Sequence, residues 1–177
     1  YRRQRQMCIR DRKSDDVDSI LPLFLPVDSE VYYGIAGTAV RTLMRLVDTG
    51  LYPDKAYIMQ KTEDENGALQ KVEGEKGFVS ALGGKGNALQ FTASVFGQEK
   101  FASVDEDALD AIGELLNCIN GLYVSECKDG SSLELMPPSF KTGIQGFESR
   151  KMLVLPIHIK NDCVDLMIAI GDEIEMK

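Results

Sequence analysis

The chain has 177 residues, of which 44% are hydrophobic and 27% charged, and its formal net charge at pH 7 is −8. This composition is that of one ordinary globular domain and excludes a disordered chain. No apolar run reaches the roughly 18–20 residues of a membrane helix, so the sequence excludes such a helix as well. The acidic charge argues against nucleic-acid binding, and the lack of a signal-peptide pattern leads us to expect a soluble, cytoplasmic protein.

The first twelve residues, YRRQRQMCIRDR, are basic, whereas the rest of the chain is acidic. A basic arm can indicate nucleic-acid binding, but this string resembles the translated read-through of a sequencing adapter. We therefore treat residues 1–12 as an artefact, in which case the natural N-terminus is missing and another domain can have preceded this one. Residues 13–29 are expected to be a linker or an ordered arm, and residues 30–177 a single domain.

The first part of the domain predicts one helix and one short strand. Residues 30–50 carry apolar side chains at helical spacing, and Gly50 follows as a stop signal. A strand is expected at Tyr57–Lys61. The polar, glycine-bearing segment Thr62–Gly77 is expected to be a loop or a ragged hairpin.

Two further strands are expected around the glycine-rich string GGKGN. Apolar residues alternate along Ala88–Phe96, which indicates a strand, and Phe78–Leu82 has a similar composition. The string between them, Gly83–Asn87, lacks the spacing of a phosphate-binding loop and is typical of a hairpin turn.

The C-terminal part gives the clearest strand signal. A turn is expected at Lys128–Ser131, followed by a strand that ends at Pro137–Pro138. KMLVLPIHIK and CVDLMIAIGD then form a hairpin around Asn161–Asp162. The fold class is therefore α/β (α+β type), with a largely antiparallel sheet of five to six strands and two main helices packed on it.

The residues most often used for catalysis or metal binding form no recognisable site. Cys8, Cys118, Cys127 and Cys163 have no zinc-type spacing and are expected to be free thiols. The single histidine, His158, lies in an apolar stretch, where a structural role competes with a catalytic one. The chain has no GxSxG nucleophile elbow and no ligand set for a metal of its own.

The string SVDEDALDAIGELLNCING predicts an amphipathic helix over residues 104–120. Ser103 and Glu106 match a capping box, and Gly121 can end the helix in the left-handed conformation. One stripe of the helix is expected to be buried and consists of Leu109, Ile112, Leu116 and Ile119. A second stripe on the opposite side consists of Asp107, Asp110, Glu114 and Asn117.

This second stripe has two interpretations. A solvated helix back is usually charged, and the E-x-x-N spacing of Glu114 and Asn117 also occurs in a turn-like string at Glu63–Asn66. Asparagine has a lower helix propensity than glutamate, lysine or glutamine, however, so Asn117 is a costly choice for a face without function.

The wider string DEDALDAIGELLNCING resembles the signature helix of the CheC/CheX/FliY family of chemotaxis phosphatases, most closely the CheX-like domain. The matching positions are Leu109, Asp110, Ala111, Ile112, Gly113, Glu114, Asn117 and Gly121. Downstream, LELMPPSFKTG resembles the family strand that ends in a double proline. The resemblance covers roughly residues 30–177 and is specific only in the helix, where Asn120 stands at a position that is small in many relatives.

The resemblance implies hydrolysis of the aspartyl phosphate on a CheY-type receiver domain. Asn117 would orient the attacking water, and Glu114 would pair with the active-site lysine of the receiver. Asp107, Asp110 and Gly121 would belong to the partner-binding face. The receiver would supply Mg²⁺, so no cofactor of the chain's own is expected, and relatives of the CheX type imply a homodimer.

Two alternatives stay open at this point. The chain could be a non-catalytic receiver-binding or flagellar-switch-like scaffold module, because proteins of the flagellar switch share this architecture. A receiver domain could also have preceded residue 13, which would make the phosphatase act in cis. The first helix lacks an E-x-x-N pattern, so one active site per chain is expected.

Overall fold

The computed structural model describes residues 16–26, 30–62, 66–84, 87–127, 132–142 and 146–177. Within these ranges the helices are α1 (Val17–Ile20), α2 (Glu30–Leu46), α3 (Asn87–Gly97) and α4 (Glu106–Glu126), with a 3-10 turn at Leu21–Leu23. The strands are β1 (Tyr52–Pro53), β2 (Tyr57–Lys61), β3 (Asn66–Glu73), β4 (Phe78–Gly84), β5 (Glu134–Leu135), β6 (Ser139–Phe140), β7 (Phe147–Ile159), β8 (Asp162–Ile170) and β9 (Glu175–Met176).

All the strands belong to one antiparallel sheet. Its order is β1-β7-β8-β4-β3-β5, with β2 and β9 also paired to β7 and β6 paired to β3. The long strands β7 and β8 form a hairpin that runs from the Leu153–Ile168 pair to the Ile159–Asp162 pair. Next to it, β4 pairs with β8 on one side and with β3 on the other, so β3 and β4 form the floor beneath α4.

The helices cover one face of the sheet. α4 packs on β3 and β4 and contacts both α2 and α3. The main core lies between this helix layer and the sheet, and the short α1 segment also contributes to it through Val17, Ile20 and Leu21. A smaller cluster covers the opposite face and includes Val79, Phe147, Met152, Met167 and Ile174. No helix within the described ranges is both long and apolar enough to cross a membrane.

Several predictions from the sequence are confirmed. The largely antiparallel sheet with helices packed on it is present, and five of its strands have five or more residues. The first helix occupies residues 30–46, the strand at Tyr57–Lys61 has the expected bounds, and the C-terminal hairpin is formed by β7 and β8. Short-range apolar periodicity was sufficient for the first helix and the β7–β8 hairpin because each of them buries a regular stripe or face.

The prediction of a strand at Ala88–Phe96 was wrong, because this segment is the helix α3. Its buried side chains, Ala88, Leu89, Thr92 and Ala93, recur with helical spacing. The apparent alternation did not reflect burial, since Val95 remains 36% exposed. The backbone amide of Asn87 at the start of the helix donates to the Asp162 carboxylate over 3.0 Å, and no local sequence pattern reports this partner.

Thr62–Gly77, predicted to be a loop or a ragged hairpin, contains a regular strand, and the turn predicted at Gly83–Asn87 was wrong at the described positions. Residues 63–65 and 85–86 of these segments lie outside the described ranges. Asn66–Glu73 is a full strand that pairs with β4, and Gly83 and Gly84 lie inside β4. Gly67 and Gly83 are opposite each other, and a Cβ on Gly67 would lie 2.0 Å from the Leu82 carbonyl oxygen. The glycines therefore allow close backbone contact rather than a turn.

The ends of the central helix differ from the prediction. The N-cap is Asp105, whose carboxylate accepts from the Ala108 amide over 3.0 Å, and not Ser103. The helix continues through Gly121 to Glu126, so Gly121 is not its terminator. The double proline follows β5 as predicted, but that strand has only two residues. The predicted turn at Lys128–Ser131 lies outside the described residues.

Candidate active site

The central helix α4 has one buried and one accessible side. The four side chains of the predicted apolar stripe, Leu109, Ile112, Leu116 and Ile119, are all fully buried. On the other side Asp107, Asp110 and Glu114 are exposed, and Asn117 is half-buried. The structure thus brings the four predicted polar residues together on one accessible face of α4.

Glu114 has no hydrogen bond or ion pair with any residue in the part of the chain that the structure describes. Its carboxylate is exposed on the solvent side of α4. It lies beside Asn117, because residues three apart in a helix are neighbours on its surface. Asp110 and Asp107 continue the acidic surface toward the N-terminus. The arrangement leaves a carboxylate able to meet a cation from a partner.

The carboxamide of Asn117 is held on one side only. Its Oδ1 accepts a hydrogen bond from Nε2 of Gln70 on β3 over 2.7 Å. Its Nδ2 group has no hydrogen-bond partner among the described residues. An amide oxygen has two lone pairs and an amide nitrogen two hydrogens, so one acceptor position and both donors of Asn117 remain for a partner or a water molecule.

Gln70 belongs to a buried polar chain that links the sheet to α4. Its Nε2 also donates to the Met136 carbonyl over 2.7 Å, and its Oε1 accepts from Asn120 Nδ2 over 2.8 Å. Asn120 in turn contacts the Ser80 hydroxyl at 2.9 and 3.0 Å. Gln70, Ser80 and Asn120 are all fully buried.

Sequence reasoning missed Gln70 and Ser80 altogether and gave Asn120 no role. Gln70 lay in a segment predicted to be a loop, and its partners are 47 to 66 residues away in the chain. A glutamine at the centre of an otherwise apolar strand face is the signal that could have identified it. That signal becomes visible only when Asn66–Glu73 is assigned as a strand.

The two glycines of the signature have different surroundings. Gly113 is buried where the double-proline segment packs on α4, and a Cβ there would lie 3.4 Å from the Cβ of Pro138, an ordinary contact distance. Gly121 is half-buried, and among the described residues outside the helix a Cβ there would meet only Leu135, at 3.9 Å. Internal packing therefore does not require glycine at position 121.

His158 lies in a separate cluster at the β1–β7–β8 edge. Its Nε2 is 3.0 Å from the Asp54 carboxylate, its Nδ1 is 3.2 Å from Cys163 Sγ, and its ring stacks on Tyr52. Burial raises the pKa of the Cys163 thiol to about 11, helped by the negative charges of three nearby aspartates. A thiol with a raised pKa is a poor nucleophile, so this cluster has the chemistry of a structural contact.

The described ranges contain no group of three histidine, cysteine, aspartate or glutamate side chains able to hold a metal ion. Cys118, Cys127 and Cys163 are free thiols. Of these, Cys118 is exposed on α4, next to Asn117 and one turn after Glu114. The chemistry available on this face is therefore that of one carboxylate, one carboxamide and their acidic neighbours.

Comparison with known families gives one match. The profile of the family described as "Chemotaxis phosphatase CheX" matches residues 67–158, just over half of the chain. The matched segment includes Gln70, Glu114, Asn117 and Asn120. A search of curated proteins found no match.

Solved structures of the same fold have low sequence identity to the chain. A chemotaxis protein CheX from Desulfovibrio desulfuricans is 14% identical, with a TM-score of 0.67 and 81% of this chain and 100% of that chain covered. A CheX from Vibrio vulnificus is also 14% identical, with a TM-score of 0.65 and the same coverage. A chain of a CheX-CheY-BeF3-Mg²⁺ complex from Borrelia burgdorferi is 16% identical, with a TM-score of 0.57 and coverages of 78% and 96%. At these identities the likeness shows the fold.

Proposed function

Because the chain belongs to the CheX family of chemotaxis phosphatases, we propose that it hydrolyses the aspartyl phosphate of a CheY-type receiver domain. The observation that carries this proposal is the pair of functional groups on one accessible helix face. Glu114 is exposed, and Asn117 lies one turn further with its Nδ2 group unbonded within the described residues. The partner class is supported by the related CheX found in a complex with CheY.

Asn117 is proposed to orient the attacking water. In hydrolysis the water oxygen bonds to phosphorus, the bond from phosphorus to the aspartyl oxygen breaks, and the water proton passes to the phosphate product. Phosphoryl transfer depends mainly on positioning and on stabilisation of charge. The outward Nδ2 group of Asn117 carries two hydrogens, so it can donate one to the oxygen of the attacking water and the other to a phosphoryl oxygen. A neutral amide does this without repelling the phosphoryl group.

Glu114 is proposed to dock on the active-site lysine of the receiver. Because Glu114 has no partner among the described residues, it loses no contact with them when it forms this pair. Asp107 and Asp110, on the same face, add long-range attraction for a basic partner surface, and Gly121 leaves space for close approach. The receiver would supply both the lysine and Mg²⁺, so the chain itself would contribute no cofactor.

The test is the phosphoryl lifetime of a receiver with and without this protein. The CheY of Borrelia burgdorferi, phosphorylated with acetyl phosphate and freed of the donor, serves as the probe. Asn117→Ala is expected to lower the acceleration by about 10²–10³-fold, the usual effect of losing one positioned hydrogen-bonding group. Ser125→Ala, an exposed position two turns along the same helix, is the matched control and should retain full activity.

The same experiment separates catalysis from binding alone. If the protein binds the phosphorylated receiver but leaves its lifetime unchanged, the scaffold alternative is correct. If Asn117→Ala retains the wild-type acceleration, the chain is a phosphatase that works by another residue.

A homodimer is also part of the proposal. The edge strand β2 pairs with β7 and with no other strand in the described residues. Tyr57 and Ile58 on this strand are 42% and 40% exposed. An exposed strand edge with apolar side chains is suited to pairing with a second copy of the chain. Light scattering should give twice the mass of one chain, and Ile58→Lys should give the monomer.

A further inference from the structure

A fully buried polar chain beneath Asn117 has no role in the chemistry described so far. It runs from the Met136 carbonyl through Gln70 to Asn120 and Ser80. Burial of polar side chains is costly unless each hydrogen bond is formed, and apolar residues would fill the same space. These buried polar groups lie directly against the half-buried Asn117, which indicates a role beyond packing.

The donors and acceptors of these buried polar groups fix which atom of each amide faces its neighbour. A backbone carbonyl can only accept, so the Gln70 atom 2.7 Å from the Met136 oxygen must be the Nε2 nitrogen. The same nitrogen lies 2.7 Å from Asn117, and the Asn117 atom that faces it must therefore be the oxygen. The Asn117 nitrogen is consequently on the side away from Gln70.

The Met136 carbonyl is itself anchored independently of the side chains. The Met136 amide donates to the Lys71 carbonyl on β3 over 2.9 Å. Pro138, two residues later, packs on Gly113 of α4. The main chain thus provides a fixed acceptor that determines the orientation of Gln70.

We propose that Gln70 is a positioning residue that selects one of the two orientations of the Asn117 carboxamide. An asparagine amide can rotate by half a turn with almost no change in shape, which would replace its outward Nδ2 donors by an acceptor oxygen. The Gln70 donor stabilises the orientation in which oxygen faces the sheet and nitrogen faces outward. This inference rests on the proposed function, because it assigns Gln70 an effect on catalysis through Asn117.

Gln70→Met removes the donor and keeps the volume approximately constant. The buried Asn120 would lose the Gln70 acceptor of one Nδ2 hydrogen, which lowers stability, but would keep both contacts with Ser80. Asn117 and Met136 are both half-buried, so water can replace Gln70 on them. The fold should therefore tolerate the change. If it does not, Gln70→Met combined with Asn120→Leu replaces the buried amide pair with apolar groups, a change that can be nearly neutral.

The kinetic constants are measured with phosphorylated Borrelia burgdorferi CheY as the varied substrate. Gln70→Met should lower kcat by on the order of tenfold, the upper value of a neutral hydrogen bond, and should change KM by less than about twofold because Glu114 is untouched. Thr62→Val is the control. Thr62 is also buried, and its hydroxyl accepts from the Phe147 amide over 3.1 Å, but it lies on the face of the sheet opposite to α4. The kcat of Thr62→Val should therefore equal that of wild type.

A double-mutant cycle separates positioning from a general structural effect. If Gln70 acts through Asn117, Gln70→Met should cause no further loss when it is added to Asn117→Ala. The Asn117 side-chain amide resonances in a ¹H–¹⁵N spectrum should also shift in Gln70→Met and stay in place in Thr62→Val.

The possible failures are distinct. Two results with an active wild-type protein would overturn the positioning role and leave the phosphatase activity intact. In the first, Gln70→Met has the wild-type kcat. In the second, Gln70→Met lowers kcat by the same factor in the Asn117→Ala background as in wild type. A wild-type protein that does not shorten the phosphoryl lifetime overturns the proposed function, and the inference with it.

Discussion

Replacement of Glu114 by glutamine should impair docking and leave the chemical step nearly unchanged. Glutamine has the shape of glutamate without its charge. Glu114 is exposed and has no hydrogen bond or ion pair with the described residues, so the free energy of unfolding should change by less than about 0.5 kcal/mol. Any large functional effect must then come from the complex with the receiver.

The size of the effect follows from the position of the carboxylate. Two unit charges 4 Å apart attract by about 4 kcal/mol at an effective dielectric constant of 20. Part of that energy is lost when charged groups leave water, and Glu114 is exposed in the free protein. A net loss of about 1–2 kcal/mol corresponds to a rise in KM of roughly 5–30-fold, and kcat should change by less than about threefold.

The assay is the decay of phosphorylated receiver at a series of receiver concentrations. Asp107→Asn is the matched control because it removes one charge from the same helix face two turns away. Its effect should be below about threefold and should vanish at 1 M salt, where the screening length is about 3 Å. A fall in kcat with unchanged KM in Glu114→Gln would refute the docking role.

Three further predictions concern the fold and the cysteines. Gly121→Ala should raise the free energy of unfolding by about 0.5–1 kcal/mol, because the new methyl group would meet, among the described residues outside its own helix, only Leu135 at 3.9 Å. Lower stability in chemical denaturation would contradict the structure. Asp105→Ala should lower stability by about 1 kcal/mol, whereas Ser103→Ala should have little effect, and equal losses would restore the capping box as the helix start. Below pH 9 the Cys163 thiol should react with iodoacetamide about 100-fold more slowly than an unperturbed thiol, because its pKa of about 11 lies two pH units above the ordinary 9.0. Mass spectrometry should show this difference in rate, and the difference should disappear in urea.

The central helix was predictable because one segment contains both of its faces. The spacing of Leu109, Ile112 and Leu116 defines the buried side, and the position of Glu114 and Asn117 follows from the helical repeat. The end of the helix was not predictable in the same way. Gly121 is a stop signal only if the following residues leave the helix, and here they contact the rest of the fold as far as Glu126.

The support beneath the site could not be read from local patterns. Gln70 interrupts the apolar face of β3, and this made a genuine strand look like a polar loop. Its partners come from the helix, from β4 and from the segment before the double proline, so their proximity exists only in the folded sheet. Long-range polar contacts of this kind have no periodicity in the sequence.

The single-turnover rate of receiver dephosphorylation with excess Asn117→Asp protein is the most direct measurement of the proposed mechanism. Aspartate keeps the shape of asparagine and an oxygen that can accept from Gln70, but it removes the Nδ2 donors and adds a negative charge facing the phosphoryl group. We expect a loss of at least about 10²-fold relative to wild type. A variant that retains the wild-type rate would show that the outward carboxamide is not what accelerates hydrolysis.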